Sequence, residues 1–133
     1  MPQTPQDRQA QSAALLARYT PDEIQQAMAR FRARMASGTL SAAVRGVGRV
    51  KRLDASGDTE AYYPRVDLAS LDELERDEQI AVAVAERIVS EAQRANANIV
   101  ATAPGSAAPA PLTTFDVANA PEEVVILSPI IGG

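Results

Sequence analysis

The C-terminal region limits what this chain can fold into more than any other part of the sequence. From Asn96 onward the residues are mostly Ala, Pro, Thr, Gly and Ser, yet the run from Val124 to Ile131 is strongly apolar and β-prone. A segment of such composition cannot bury enough surface to fold alone. An apolar, β-prone run left in water promotes aggregation. We therefore expect residues 124–131 to dock on something, by strand addition or in a groove.

Residues 96–133 are predicted to form an extended C-terminal arm. At about 3.3 Å per residue the arm would span roughly 120 Å, enough to touch a neighbouring subunit. Docking on a partner is the favoured interpretation, and packing on the chain's own core and disorder are the alternatives. The predicted partner-binding residues are the large apolar ones of the final run: Val124, Val125, Ile126, Leu127, Ile130 and Ile131.

The strongest local signals upstream of the arm are those of two helices. Thr20-Pro21-Asp22-Glu23 is a capping box with proline at the first helical position. Apolar residues then recur at spacings of three and four until Ser37-Gly38. These signals predict a helix over about 20–37. A second capping box, Ser70-Leu71-Asp72-Glu73, predicts a helix from about 67 or 70 to 95, with a break or kink near 75–79.

Between the two helices the pattern becomes that of a β-hairpin. Residues 44–53 are rich in Val, Leu and Arg, and Asp54 to Asp58 has the composition of a turn. Tyr62 and Tyr63 favour a second strand, which Pro64 confines to an edge or ends. Glycines at 46 and 48 predict a weakened first strand or a bulge.

The expected fold class is α+β and mainly α, with two long helices flanking a β-hairpin and an extended C-terminal arm. Residues 1–19 form an N-terminal extension with a short helix, 20–95 form the helix–hairpin–helix core, and 96–133 form the arm. No targeting signal or membrane span is predicted. Because the chain is 46% apolar but only 4% aromatic, its core is expected to be marginal, which favours oligomerisation.

Composition argues against an enzyme. The chain has no histidine and no cysteine, which excludes thiolate nucleophiles, imidazole bases and Cys/His zinc sites. The acidic cluster between Asp72 and Glu78 is interpreted as a solvated helix start that complements the helix dipole. No catalytic residue, metal site or cofactor is predicted.

Charge is distributed unevenly along the chain. Residues 1–55 carry a net charge of +5, residues 56–95 carry −6 and residues 96–133 carry −3. Packing of basic on acidic surface between identical subunits is one interpretation, and a solvated surface is the other. The basic cluster Arg45, Arg49, Lys51 and Arg52 is the candidate contact to DNA or to an acidic partner, with plain solvation as the third alternative.

The order of elements in residues 20–95 resembles the small W-type head–tail joining (head-completion) proteins of tailed bacteriophages. The matching stretches are Ala36-Ser37-Gly38-Thr39, Val44 to Leu53, Glu60-Ala61-Tyr62-Tyr63 and Ser70-Leu71-Asp72-Glu73-Leu74. The longer hairpin, Pro64 and the arm depart from the family pattern.

The resemblance implies a structural virion protein at the head–tail interface, made in the host cytoplasm. It implies a ring of subunits, twelve in number, that contacts the portal protein and tail or nozzle proteins and helps retain packaged DNA. The alternatives are another phage structural protein, for decoration or in the tail, and a small DNA-binding regulator or antitoxin.

Overall fold

The computed structural model describes residues 5–54, 57–95, 97–102, 108–111 and 123–127. The chain has an α+β fold, as predicted. In chain order, its elements are α1 (Pro5–Leu16), α2 (Pro21–Ser37), β1 (Gly46–Asp54), β2 (Gly57–Arg65), a 3-10 helix (Leu68–Glu73), α3 (Arg76–Arg94), β3 (Asn98–Thr102), β4 (Ala110–Pro111) and β5 (Glu123–Leu127).

Helix α2 begins and ends where the sequence predicted. The backbone N–H of Glu23 donates to Oγ1 of Thr20 at 3.2 Å, and the N–H of Thr20 donates to the Glu23 carboxylate at 2.9 Å. Gly38 ends the helix with a φ of 72°, a left-handed conformation that glycine adopts without a steric cost. Local sequence is sufficient to define this helix.

Helix α3 begins later than predicted. The capping box at Ser70 lies in the 3-10 helix, and α3 starts only at Arg76. Its first turn is capped by Glu78, whose carboxylate accepts a hydrogen bond from the Glu75 N–H at 2.9 Å. The interruption that the polar residues 75–79 predicted therefore falls at residues 74–75, before α3 rather than within it.

Helix α3 lies at the centre of the molecule. It is buried around most of its circumference, including the run of alternating Ala and Val from Ala81 to Ala85. Helices α1 and α2 pack on one side of it and the sheet on the other. Its alanines let the surrounding elements approach closely, and α3 contributes residues to all three clusters of the buried core despite the low aromatic content.

The hairpin is regular. Strands β1 and β2 pair antiparallel from Gly46 opposite Arg65 to Asp54 opposite Gly57 without a skipped residue. The predicted bulge is therefore wrong. A Cβ at Gly48 would lie 2.3 Å from the Cζ atom of Tyr63, so glycine at 48 makes room for the tyrosine ring. As Pro64 predicted, β2 lies at a sheet edge.

The prediction of an extended C-terminal arm is wrong for the residues described there. The sheet has five strands in the order β2-β1-β5-β3-β4, and the region after residue 96 supplies three of them. Strand β5 lies at the centre, parallel to β1 and antiparallel to β3. The predicted core of two helices flanking a hairpin therefore does not describe the architecture, because β1 and β2 belong to a larger mixed sheet that the chain's own later strands complete.

Candidate assembly surface

Strand β5 has two sides with different environments. Val124 and Ile126 are fully buried against α3 in the largest core cluster. Since side chains alternate along a strand, Val125 and Leu127 lie on the opposite face of the sheet, and Leu127 is 41% exposed. The predicted partner-binding run is therefore divided between core and surface. Ile130 and Ile131 lie outside the described residues.

The outward side chains of β5 continue onto both neighbouring strands. Leu53 of β1 lies opposite Leu127, and Val100 of β3 lies opposite Val125. We call these four residues the outer patch. None of them belongs to the core clusters of the described residues, and cross-strand neighbours of this kind are in contact. Leu127 is exposed and the other three residues are half-buried, so the outer patch is a small, partly accessible apolar surface on the face away from α3. Exposed apolar surfaces commonly mark interaction sites.

A second group of outward side chains follows toward the start of β5, and we call it the charged row. It comprises Arg49, Lys51, Glu60 and Glu123, with Arg49 opposite Glu123 and Lys51 opposite Glu60. The Arg49 guanidinium binds the Glu123 carboxylate and lies 4.0 Å from the Glu60 carboxylate. The hydrogen bond to Glu123 raises the pKa of Arg49. Two cations and two anions leave the charged row formally neutral.

The predicted basic cluster does not converge on one surface. Arg49 and Lys51 lie in the charged row, whereas Arg52 alternates to the α3 side of β1. Arg45 precedes the strand, and its Nη1 atom lies 2.6 Å from Oδ1 of Asp67. Two of the four cations therefore have carboxylate partners within the chain, which weakens the case for a phosphate-binding surface.

The unequal charge of the two halves is partly balanced within one chain. Arg30 of α2 binds Asp77 at 2.8 Å, and Arg34 binds Glu75 at 2.5 Å. These contacts join α2 to the start of α3, and hydrogen bonding by Arg30 lowers the pKa of Asp77. Packing of basic on acidic side chains thus occurs between helices of one chain, which gives part of the charge split a role within the fold.

Glu78 is the exception among acids predicted to be solvated, because its side chain is fully buried. Its carboxylate accepts hydrogen bonds from the Ser41 N–H at 2.8 Å, the Ser41 hydroxyl and the Glu75 N–H. Burial alone would raise the pKa of Glu78, but the hydrogen bonds from Ser41 and Glu75 outweigh it and lower the pKa. The residue fixes the segment that leads into β1, a structural role.

One cleft lies between α1, the 3-10 helix and α3 and has a volume of about 200 Å³. Beside it, the Ser12 hydroxyl donates to the buried Glu86 carboxylate at 2.7 Å, which ties α1 to α3. The cleft is lined by Gln11, Ser12, Leu15, Leu71, Asp72, Gln79, Val82 and Ala83. With a single carboxylate in this lining, the cleft does not assemble the paired acid and base of a hydrolytic site.

Sequence reasoning missed Leu53 and Val100 as members of a surface. A signal was present, because residues 98–102 and 123–127 combine apolar content with strand-forming Val and Ile. What the local pattern lacked was the pairing of β5 with β1, which joins residues about seventy positions apart. Only that pairing puts Leu53 beside Leu127.

Within the described residues, no helix is long and apolar enough to span a membrane. The same residues contain no group of three or more His, Cys, Asp or Glu side chains able to hold a metal ion. Comparison with protein-family models, with curated proteins and with solved structures finds no match to this chain.

Proposed function

We propose that this chain is a structural adaptor without catalytic activity, and that the outer patch is the surface that faces its partner. The central strand carries the argument. A strand with one solvated face normally alternates apolar and polar side chains, yet β5 directs Val125 and Leu127 outward and Val124 and Ile126 inward. An apolar row on both faces of the sheet is expected where a second protein covers the outer one.

The specific role that we propose is head–tail connection in a tailed-phage virion. The resemblance to W-type joining proteins rests on the order helix, hairpin, helix, and the order α2, β1, β2, 3-10 helix, α3 is compatible with it. In this role the chain would form a ring, with twelve subunits as in the sequence-based hypothesis. The ring would join the portal protein to tail or nozzle proteins and contact packaged DNA at its inner rim.

Another phage structural role, in capsid decoration or in the tail, would use the outer patch in the same way. A DNA-binding regulator or antitoxin is less well supported by the geometry. Backbone phosphate contacts need cations that are available, whereas Arg45 and Arg49 are paired with Asp67 and Glu123.

Point substitution in the outer patch tests the proposal better than truncation does. Removal of residues 121–133 would also remove β5 from the core, so loss of assembly would not be informative. Leu127→Asp places a charge on the surface and leaves Ile126 in place. The matched control is Ala29→Asp, which adds the same charge on the exposed side of α2.

The measurement is electron microscopy of the purified chain mixed with portal and tail proteins encoded beside it. We expect rings on the portal with the natural chain and with Ala29→Asp, and none with Leu127→Asp. Salt-sensitive binding to duplex DNA without any co-assembly would instead support the regulator. Normal rings with Leu127→Asp would refute the outer patch as the partner-facing surface.

A further inference from the structure

We propose that two free copies of this chain dock outer patch to outer patch, forming a symmetric dimer that a partner later displaces. This inference rests on the proposed function, since it takes the outer patch as the partner-facing surface. It adds the identity of the molecule that covers the patch before assembly, namely a second copy of this chain.

The first argument is the position of the apolar residues. Leu53, Val100, Val125 and Leu127 occupy adjacent positions on the three central strands, around the exposed end of β5. The charged row lies on one side of them. An apolar centre with a polar rim is the usual anatomy of a protein–protein interface. Two sheets can pack face to face at a separation of about 10 Å, with such side chains between them.

The second argument is the charge of the same face. The charged row has two cations and two anions, so it offers no excess positive charge to a polyanion such as DNA. A two-fold axis through the outer patch places the same row of each copy at the rim of the contact. In a symmetric interface a surface must be complementary to itself. The charged row allows this, because it has two cations on β1 and one anion on each of the flanking strands β2 and β5.

The third argument is that the sheet edges are poor alternatives. Strand β4 is only two residues long and ends in Pro111. Strand β2 has Pro64 near its end, and its Tyr62 ring is covered by Arg32 of α2, with 5.3 Å between the guanidinium carbon and the ring centroid. Proline, short length and charged cover are features that discourage edge-to-edge pairing. A second copy is therefore expected on the face.

The test is analytical ultracentrifugation of the full chain over a range of concentrations. The natural chain should sediment as a dimer of twice the chain mass of 14.1 kDa and dissociate on dilution. Val125→Thr, which preserves side-chain shape but adds a hydroxyl to the outer patch, should weaken the dimer about tenfold, and Leu127→Asp should abolish it. Ala29→Asp should leave it unchanged, and circular dichroism should show that all variants remain folded.

Because the chain has no cysteine, one introduced cysteine can test whether a given residue lies near its counterpart in the dimer. Leu127→Cys should form a disulfide-linked dimer on mild oxidation, whereas Ala29→Cys should form no disulfide-linked dimer under the same conditions. Lys51→Glu changes the charged row from neutral to −2 in each copy, so it should weaken the dimer in a way that added salt relieves. A dimer insensitive to Lys51→Glu would remove the charge argument.

Failure of the inference can be separated from failure of the proposed function. A natural chain that stays monomeric at all concentrations overturns the dimer, and if Leu127→Asp still blocks assembly on the portal, the adaptor function stands. If Leu127→Asp changes neither dimerisation nor assembly, both proposals are wrong.

Discussion

The two faces of the sheet are built from similar residues but are used differently. The inner face presents Val124 and Ile126 to α3, where they are fully buried, and the outer face presents Val125 and Leu127, which remain partly accessible. Apolar character alone therefore does not distinguish core from interaction surface in this chain. The two faces differ in what lies beside them. Helix α3 covers the inner face, whereas the charged row, which has no net charge, lies beside the apolar residues of the outer face.

The largest difference in stability should be found between substitutions of two neighbouring residues of β5, Ile126 and Leu127. Ile126→Ala opens a cavity against α3 and should lower the free energy of unfolding by about 4 kcal/mol. Leu127→Ala removes a side chain that is 41% exposed and should cost less than about 1 kcal/mol. Urea denaturation of both variants measures the difference, and equal losses would show that the two faces are equally buried.

The next largest effect on stability is expected at Glu78, whose carboxylate holds the segment before β1 through hydrogen bonds from Ser41. Glu78→Ala leaves buried donors without an acceptor and should cost about 2–3 kcal/mol.

The lowered pKa of Glu78 also makes stability depend on pH. Its contribution is complete above the usual pKa of 4.5 and is lost as the pH falls through the lower value of the folded state. Denaturation midpoints from pH 7 downward should fall less steeply for Glu78→Gln than for the natural chain, and parallel curves would contradict this account.

Substitution of a glycine in β1 should have a smaller effect on stability, and the two glycines, Gly46 and Gly48, serve as controls for each other. A Cβ at Gly48 meets the Tyr63 ring at 2.3 Å, whereas a Cβ at Gly46 meets only the end of the Arg65 side chain at 3.1 Å. Gly48→Ala should therefore destabilise by about 1–3 kcal/mol, while Gly46→Ala should be nearly neutral because Arg65 can move. Thermal denaturation compares them, and a tolerated Gly48→Ala would mean that the tyrosine is free to shift.

The smallest effect on stability should come from the charged row. Arg49→Ala removes an ion pair with Glu123 that lies near the surface, and such pairs contribute about 0–1 kcal/mol. A double-mutant cycle with Glu123→Ala measures the coupling. A coupling well above about 1 kcal/mol would make the charged row part of the folded core and reduce the contrast between the faces.

Local sequence signals were sufficient for α2 and the hairpin, because capping residues, turn residues and apolar spacing all lie within the element they define. They were insufficient for the start of α3. The box at Ser70 was the predicted start, whereas α3 is capped at Glu75 by Glu78, whose carboxylate also accepts a hydrogen bond from Ser41, 37 positions away. Non-local hydrogen bonds of this kind do not appear in a local pattern.

The C-terminal region shows the same limit on a larger scale. Its composition correctly indicated burial for Val124 and Ile126 of the apolar run, and strand addition was one of the two predicted modes. The partner strands were the chain's own β1 and β3, so the favoured interpretation of an arm on a neighbour does not hold for residues 123–127. Composition predicts the need for burial, whereas the choice of partner depends on tertiary pairing.

Amide hydrogen exchange of residues 123–127 in dilute, monomeric protein tests the central claim most directly. If β5 is the central strand of its own chain's sheet, its amides that bond to β1 and β3 should exchange only through global unfolding, as slowly as those of α3. Exchange at the rate of an unstructured peptide, with protection appearing only when a partner is added, would contradict this account and restore the free arm.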